Sequence, residues 1–254
     1  MPLLRLATML GSVPSLASPA CLLPAMAHID HIAAPGGLSV TRIESMPFAE
    51  NTYVVRRAPD RRCLVIDPGF EPDAIIAAIE EAGLEPQAIL LTHGHSDHIA
   101  GNTALRRVWP GLPILIGRHD APKLTDSKAN LSAPFGFLVT SPPADRLLAD
   151  GETIEVAGLP LAVHEIPGHS IGHVVFRVLD CQPPVVFVGD VLFREGVGRT
   201  DFPDGSFDAL ASGITTRLYC LSDETVVFPG HGDSTTVGHE RHSNPFVPDP
   251  RAAR

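Results

Sequence analysis

From about residue 38 onward, short apolar runs alternate with segments of helical periodicity. Apolar runs bounded by glycine, proline or aspartate are typical of buried strands, whereas apolar positions three and four residues apart indicate amphipathic helices. The strands predicted in this way are 51–55, 63–66, 88–91, 113–116, 153–156, 161–166, 173–178, 185–188 and 225–228. Helices are predicted at 72–83, 99–108 and 207–218, the last with Ser206 as its N-cap, and the proline-containing stretch 120–143 is predicted to be a loop or lid. This order of elements predicts an α/β protein in which two sheets face each other with helices outside.

Residues 1–37 differ from the rest, because they are mostly apolar at the start and contain several prolines. The small residues Ala25–Ala27 are compatible with a signal-peptide cleavage site, although Pro14 and Pro19 interrupt the apolar stretch. A disordered extension and an incorrectly assigned start, with Met26 as the initiator, are the alternatives. We expect a cytoplasmic protein, or an exported one if the segment is a signal peptide.

Composition limits the classes of protein that fit. The chain has 254 residues, of which 44% are hydrophobic and 19% charged, which suits a folded body with a substantial core. Its four cysteines form no CxxC pair, so reduced thiols are expected rather than a disulfide framework. Twenty-nine acidic against 19 basic side chains give a formal charge of -10, which disfavours nucleic acid as a partner. No apolar stretch is long enough for a transmembrane helix.

A dense group of possible metal ligands follows the predicted strand 88–91. In the segment Thr92–His98, His93, His95 and Asp97 alternate along the chain, so an extended backbone would point them in one direction. His98 follows immediately and must point elsewhere, toward a second ion. Imidazole and carboxylate ligands suit zinc and also iron or manganese. The alternative, a surface loop that happens to be rich in histidine, explains this density poorly.

Three further strands each run into a glycine and then a possible ligand. These ligands are His169, Asp190 and His231. Glycine at such a position lets the backbone approach a site closely. One histidine after a strand is more often structural, but three such elements in order after the first motif favour a metal site.

Together these segments resemble the metallo-β-lactamase superfamily, whose pattern THxHxDH, PGH, GD and PGHG is matched by Thr92–His98, His169, Asp190 and His231. Asp67 matches the superfamily's early aspartate. The resemblance covers about residues 40–247, and it implies a four-layer αβ/βα sandwich of two mixed β-sheets with outer helices.

The resemblance also implies a ligand set and domain limits. One ion would be held by His93, His95 and His169. The second would be held by Asp97, His98 and His231, with Asp190 bridging both and Asp67 anchoring the ligand loop from behind. The implied hydrolase domain is 38–247, with 1–37 as an N-terminal extension and 248–254 as a C-terminal tail. The expected cofactors are two divalent ions per chain, zinc first, with iron or manganese as alternatives.

Comparison with branches of the superfamily narrows the expected activity. Aspartate rather than cysteine at position 190 disfavours the zinc lactamases, and histidine rather than glutamate at position 95 disfavours the oxygen-reducing diiron branch. The spacing of His169, Asp190 and His231 leaves no room for the large extra domain of the members that cleave nucleic acids. Phe193–Phe202 looks similar to both glyoxalase II and persulfide dioxygenases, whereas 235–245, with PGHG before it, looks closer to bacterial glyoxalase II-like hydrolases.

The resemblance therefore implies a metallo-hydrolase that cleaves a thioester, similar to hydroxyacylglutathione hydrolase, by means of a metal-bridging hydroxide with Asp97 and Asp190 as catalytic carboxylates. A small-molecule thioester is the expected partner. Only residues 232–254 follow His231, too few for the helical domain that grips glutathione in longer glyoxalase II enzymes, so the thiol and the acyl group stay open. The alternatives are a mononuclear-iron persulfide dioxygenase that would use His93, His169 and Asp190, and a hydrolase of an ester without glutathione. A non-enzymatic metal-binding scaffold fits less well, because the ligand set is complete.

Arg199 and His173 are further candidates. Arg199 lies in a glycine-containing loop after Asp190, so it could grip a substrate carboxylate, or it could pair with Asp201 or Asp204 and fix the loop. His173 lies four residues after His169 and could support a ligand, although a structural role is the commoner one for a lone histidine. The oligomeric state is left open.

Overall fold

Two β-sheets form the centre of the molecule. A computed structural model describes residues 27–249. The first sheet has seven strands in chain order: β1 (His28–Ala34), β2 (Leu38–Ser45), β3 (Glu50–Arg57), β4 (Arg62–Ile66), β5 (Glu85–Leu91), β6 (Ile114–Gly117) and β7 (Arg146–Leu148). The second sheet has six strands in the order β15-β14-β11-β10-β9-β8: β8 (Thr153–Val156), β9 (Leu159–Glu165), β10 (Val174–Val178), β11 (Val185–Gly189), β14 (Val226–Pro229) and β15 (Thr235–Thr236). A short hairpin joins β12 (Leu192–Phe193) and β13 (Gly196–Val197).

Within residues 27–249, five α-helices accompany the sheets. They are α1 (Pro72–Glu81), α2 (Ser96–Ile99), α3 (Asn102–Val108), α4 (Phe207–Gly213) and α5 (Val237–Ser243). A π-helical turn, Ile214–Leu218, continues α4, whose predicted N-cap Ser206 accepts a hydrogen bond from the backbone N–H of Ala209. Short 3₁₀ turns occupy Pro35–Gly37, Ala121–Thr125 and Ala133–Phe135.

The core consists of separate apolar layers. Between the sheets, the ring of Tyr53 packs against Phe187 and Phe228 with centroids 5.4 Å apart. Outside the first sheet, Ile75 and Ile79 of α1 belong to a second buried cluster, and Leu210 of α4 belongs to a third outside the second sheet. The layers are therefore helix, sheet, sheet and helix, which confirms the predicted four-layer sandwich.

Both sheets are mixed, and their parallel strands place the predicted ligand segments. β4, β5, β6 and β7 are parallel neighbours, as are β11 and β14. The segment Thr92–His98 follows the carboxyl end of β5, while Asp190 and His231 follow those of β11 and β14. Since the ends of parallel neighbours meet at one edge, the chain brings these segments together there.

Two boundaries differ from the sequence prediction. The first sheet begins at His28, inside the predicted extension 1–37, because β1 pairs along its whole length with β2. Its histidines and aspartate, which interrupt the isoleucines, suit a largely exposed edge strand and leave a weak apolar signal. The helix predicted at 99–108 is divided into α2 and α3. Residues 1–26, with the predicted signal peptide, and 250–254, most of the predicted tail, lie outside the described residues.

The predicted loop at 120–143 is irregular apart from its two 3₁₀ turns. Across residues 27–249, we find no helix with the length and apolar character needed to cross a bilayer.

Candidate metal centre

The first ligand segment is buried directly after β5. His93 and His98 are fully buried, and His95 is 4% exposed. Histidine is rarely excluded from water to this extent unless its ring nitrogens have partners. The partners of these rings therefore indicate what the site does.

Three imidazole nitrogens converge on one point. His93 Nε2, His95 Nδ1 and His169 Nε2 lie 2.9–3.2 Å from one another. Neutral imidazoles cannot satisfy such a triangle with protons alone, because each ring has one donor and one acceptor nitrogen. Ligands about 2.0–2.1 Å from a tetrahedral ion lie at comparable separations. Burial lowers the pKa of His169 and lowers the pKa of His93 and His95 well below the usual value, which favours the neutral rings that a metal requires.

A second group of ligands adjoins the first. His231 Nε2 lies 3.5 Å from Asp97 Oδ2, and His98 Nε2 lies 3.8 Å from the same oxygen. Burial opposes protonation of both rings, but the carboxylates of Asp190 and Asp97 outweigh it. They raise the pKa of His98 well above its usual range and that of His231 to about 11. The negative charge of these carboxylates, which favours protonated rings here, would also attract a divalent cation.

Asp190 lies between the two groups. Its Oδ2 is 3.4 Å from His169 Nε2 and 3.5 Å from His231 Nε2, and its Oδ1 is 3.4 Å from His98 Nε2. Burial raises the pKa of this carboxyl, but the surrounding histidines lower it well below the usual value. Gly189 precedes it with φ +48°, and a Cβ there would meet Thr92 Oγ1 at 2.3 Å. Only glycine allows this approach of β11 to the ligand segment.

The donor set fits divalent ions. Within residues 27–249, His98 Nε2 and Asp190 Oδ1 are buried without a hydrogen-bond partner, although they face each other across the site. Three groups have ligand atoms close enough to hold a metal: His93, His95 and His169; His93, His98 and Asp190; Asp97, His98 and His231. The structure thus brings together all seven ligands expected from the sequence.

Asp67 supports the ligand segment from behind. Its buried carboxylate accepts hydrogen bonds from the backbone N–H of Thr92 at 2.7 Å and from the Thr92 hydroxyl at 2.6 Å. Its Oδ2 also lies 3.1 Å from His98 Nδ1, which leaves Nε2 of that ring toward the site. Asp67 has φ +49°, a left-handed conformation that aspartate tolerates better than most residues.

His173 has a structural place beside the ligands. Its ring stacks on His93 with centroids 4.8 Å apart, and its Nε2 accepts a hydrogen bond from the backbone N–H of Asp190 at 3.1 Å. It therefore buttresses two ligands without facing the site.

Sequence reasoning missed a second anchoring carboxylate, Asp120. This fully buried side chain accepts hydrogen bonds from the backbone N–H groups of Gly94 and Gly172, both at 2.8 Å, and from the Ser170 hydroxyl at 2.5 Å. It ties the loop that carries His95 to the loop that carries His169. An aspartate within a predicted loop offered no sequence signal for this role.

Two other buried charged side chains were also missed. Lys123 Nζ contacts the Ser170 hydroxyl and lies 2.6 Å from Asp204 Oδ2. Glu50 is fully buried, with one carboxyl oxygen 3.9 Å from His98 Nδ1, and burial raises the pKa of this carboxyl well above its usual value. Neither belongs to a recognisable motif.

Arg199 lies at the edge of the site, but its side chain does not face the ligands. Its guanidinium forms two hydrogen bonds with Asp201, at 2.9 and 2.8 Å, and lies 4.7 Å from the ring centroid of Phe202. Its backbone carbonyl, instead, lies 2.9 Å from His169 Nδ1 and accepts a hydrogen bond from it, which leaves Nε2 of that ring free for a metal. The contact with the site is therefore through the main chain.

The ligands open into a pocket of about 300 Å³. Besides the ligands and Ser96, its lining is formed by Phe48, Leu131, Phe135, Phe193, Val197, Arg199 and Phe202. Except for Arg199, these other side chains are apolar, so the candidate ligands border a largely apolar pocket.

Comparison with known proteins agrees with this geometry. Residues 46–231 match the metallo-beta-lactamase superfamily. Hydroxyacylglutathione hydrolase GloC of Haemophilus influenzae is 37% identical over 194 residues, which cover 74% of this chain and 88% of the relative. The crystal structure of BLEG-1 B3 metallo-beta-lactamase superposes with a TM-score of 0.78 at 33% identity, covering 82% of this chain and 99% of that one.

A third relative bears on the metal. The crystal structure of TTHA1623 in a di-iron-bound form has a TM-score of 0.71 and 37% identity, and covers 81% of this chain and 99% of that one. The family match spans most of the described sandwich and includes every predicted ligand. This chain belongs to the metallo-beta-lactamase superfamily of metallo-hydrolases, with a candidate metal-binding cluster of histidines and aspartates where its two sheets meet.

Proposed function

We propose that this protein is a binuclear metal-dependent hydrolase that cleaves thioesters. The observation that carries the proposal is the carboxylate of Asp190, which lies 3.4 Å from His169 Nε2 on one side and 3.4 Å from His98 Nε2 on the other. A carboxylate within reach of two ligand groups suits two ions that share it. The 37% identity to hydroxyacylglutathione hydrolase GloC supports a thioester as the bond cleaved.

The ligands divide between two ions as the superfamily pattern implies. One ion would bind His93, His95 and His169. The other would bind Asp97, His98 and His231, and Asp190 would bind both. When bound, zinc, iron or manganese ions lower the pKa of a water and polarise a carbonyl oxygen.

The protein's own residues position the reactants. Asp97 is partly exposed to the pocket, 17% for its side chain, so its carboxylate can accept a proton of the attacking water and orient it. The carbonyl of Arg199 and the carboxylate of Asp67 hold the rings of His169 and His98 in place. The reaction breaks the C–S bond and forms a C–O bond, releasing a carboxylate, a thiol and one proton. A thiolate leaves readily, so the site needs no dedicated acid for it.

The test combines metal analysis with two assays. Purified protein is reconstituted with zinc, iron or manganese, and its metal content is measured against protein. Release of thiol from S-lactoylglutathione is then followed with a thiol reagent, and oxygen uptake with glutathione persulfide is followed with an electrode. A chromogenic cephalosporin tests the activity suggested by the likeness to a B3 lactamase.

We expect two ions per chain and thioester cleavage without oxygen uptake. One iron per chain, together with rapid oxygen uptake and no thioester cleavage, would favour the dioxygenase alternative. Cleavage of the cephalosporin alone would assign the site to β-lactams instead. The variant Asp190→Asn serves as the inactive control, because it keeps the size of the side chain and removes the shared charge.

A further inference from the structure

Four phenylalanine rings pack together next to the pocket, and two of them, Phe48 and Phe135, line it. Phe48 contacts Phe70, Phe135 and Phe137, with ring centroids 5.8–6.2 Å apart, and Phe70 also contacts Phe137. They come from three separate connections: the turn after β2, the segment after β4 and the long segment between β6 and β7. We call this cluster the aromatic wall. The side chain of Phe135 is 53% exposed and that of Phe137 is 38% exposed. A contiguous cluster of exposed large apolar side chains usually marks a binding surface.

Apolar groups continue from the aromatic wall down to the ligands. The ring of Phe193 lies 5.9 Å from that of His231, on the side of the second ligand group. The ring of Phe202 lies 5.2 Å from His95 and 5.6 Å from His169, on the side of the first. A group bound next to the reacting carbonyl therefore meets aromatic carbon on both sides.

Apart from Ser96 and the candidate ligands, the pocket lining offers few polar partners to a bound group. In the described part of the chain, Arg199 is the one basic side chain besides the histidines that lines it, and Asp201 already holds its guanidinium. Lys123 is buried against Asp204 and Ser170 instead. A carboxylate or hydroxyl placed against the phenylalanines would lose water without gaining a partner.

We infer that the pocket selects thioesters whose acyl group is apolar, either branched aliphatic or aromatic, over those with a hydroxylated acyl group. This inference rests on the proposed thioester hydrolysis. The thiol carrier, with its charged groups, extends through the mouth into water, and the acyl group fills the space between the aromatic wall, Phe193 and Phe202. The bond broken is the thioester C–S bond, and water supplies the oxygen of the acid that is released.

The sharpest test compares isobutyryl and lactoyl thioesters of glutathione, because the two acyl groups differ by a methyl in place of a hydroxyl. The value of kcat/KM is measured for each with the metal-loaded enzyme and divided by the rate of alkaline hydrolysis of the same thioester, which removes intrinsic reactivity. We expect the isobutyryl thioester to be preferred by about tenfold. A phenylacetyl thioester should be preferred further, by about three- to fourfold per added carbon buried.

Phe135→Ala tests whether the aromatic wall is the cause. The isobutyryl to lactoyl ratio should fall severalfold, and the phenylacetyl to lactoyl ratio by about tenfold. Phe246→Ala is the matched control, since Phe246 is exposed to a similar extent, 56%, and does not line the pocket. It should leave both ratios unchanged. Melting temperatures of both variants show whether either change disturbs the fold.

The outcomes separate the inference from the proposed function. If thioesters are cleaved but the lactoyl compound is preferred, the inference is wrong while the hydrolase assignment stands. An equal loss on all acyl groups in Phe135→Ala would also overturn it, since that residue would then act on the fold or on the thiol. If no thioester is cleaved under any metal loading, the proposed function fails, and the acyl preference falls with it.

Discussion

The floor of the pocket and its mouth are held in place by different kinds of contact. At the floor, buried carboxylates hold the ligand loops through directional hydrogen bonds: Asp67 binds the segment after β5, and Asp120 joins it to the loop of His169. At the mouth, Phe135 lines the pocket, and it and the neighbouring Phe137 of the aromatic wall are held by ring contacts and remain partly exposed. Hydrogen bonds fix positions to within a few tenths of an ångström, whereas apolar contacts tolerate rearrangement. The floor should therefore determine whether reaction occurs, and the mouth which substrates are preferred.

The largest effect is expected from Asp190, the carboxylate proposed to be shared by two ions. Asp190→Ala should lower kcat/KM on the order of 10³-fold, because it removes charge next to both ligand groups. His231→Ala should cost less, about 10- to 100-fold, because its ring serves the second group alone. The measurement is steady-state kinetics at equal metal content, with metal determined for each preparation. Equal losses would contradict the bridging role of Asp190.

Substitution of Asp67 tests whether the ligand segment at the floor of the pocket is held in place by the hydrogen bonds that this carboxylate accepts. Asp67→Ala should weaken metal binding about 10- to 100-fold and lower the free energy of unfolding of the metal-free protein by about 3 kcal/mol, since two buried donors of Thr92 lose their acceptor. Competition with a chromophoric chelator measures the first quantity, and urea unfolding the second.

Two controls sharpen this test. Asp67→Asn keeps a residue that tolerates φ +49° but changes the acceptor for His98, so it should recover stability more than metal affinity. Asp233→Ala removes an aspartate whose side chain is 72% exposed, and should change stability by less than about 0.5 kcal/mol. If Asp67→Ala changed metal affinity and the free energy of unfolding as little as Asp233→Ala does, the Asp67 carboxylate would not be needed to hold the ligand segment in place.

The pair formed by Lys123 and Asp204 links the floor to the loop of Phe202. Lys123→Met should lower the free energy of unfolding of the metal-free protein by about 1–2 kcal/mol at pH 7, because Asp204 loses a partly buried partner. Burial raises the pKa of Asp204, but Lys123 outweighs it and lowers that pKa below 3.8. The stabilisation is therefore complete above pH 3.8 and is lost as the pH falls through the lower folded value.

The difference between the native protein and Lys123→Met should accordingly be constant from pH 7 to pH 5 and shrink below pH 3.8. Urea unfolding at several pH values measures it. A difference that instead disappeared between pH 7 and pH 5 would show that another group titrates against Lys123.

The same contrast explains what the sequence could predict. Each candidate ligand follows a strand in a short motif with glycine, so local pattern indicated the seven candidates, and the resemblance to the superfamily implied the four-layer sandwich around them. Asp120 acts through backbone groups that lie far from it in the chain, at Gly94 and Gly172, and no local pattern encodes such contacts. The aromatic wall likewise combines three separate connections. β1 was missed because polar residues interrupt its isoleucines, as suits an exposed edge strand.

Substitution of Arg199 should give the smallest effect. It tests whether a charged side chain at the mouth of the pocket selects substrates that carry a carboxylate. Its guanidinium is 63% exposed and already bound to Asp201, so removing it should change stability by at most about 1 kcal/mol. Its carbonyl, which accepts from His169, is retained in Arg199→Ala, so metal content should not change. We expect the KM for a glutathione thioester to change by less than about threefold. Asp201→Asn sharpens the test, because it frees the guanidinium fork and should lower that KM if a substrate carboxylate lies within reach. A rise in KM of tenfold or more in Arg199→Ala, confined to thioesters that carry a carboxylate, would show instead that Arg199 leaves Asp201 to bind substrate.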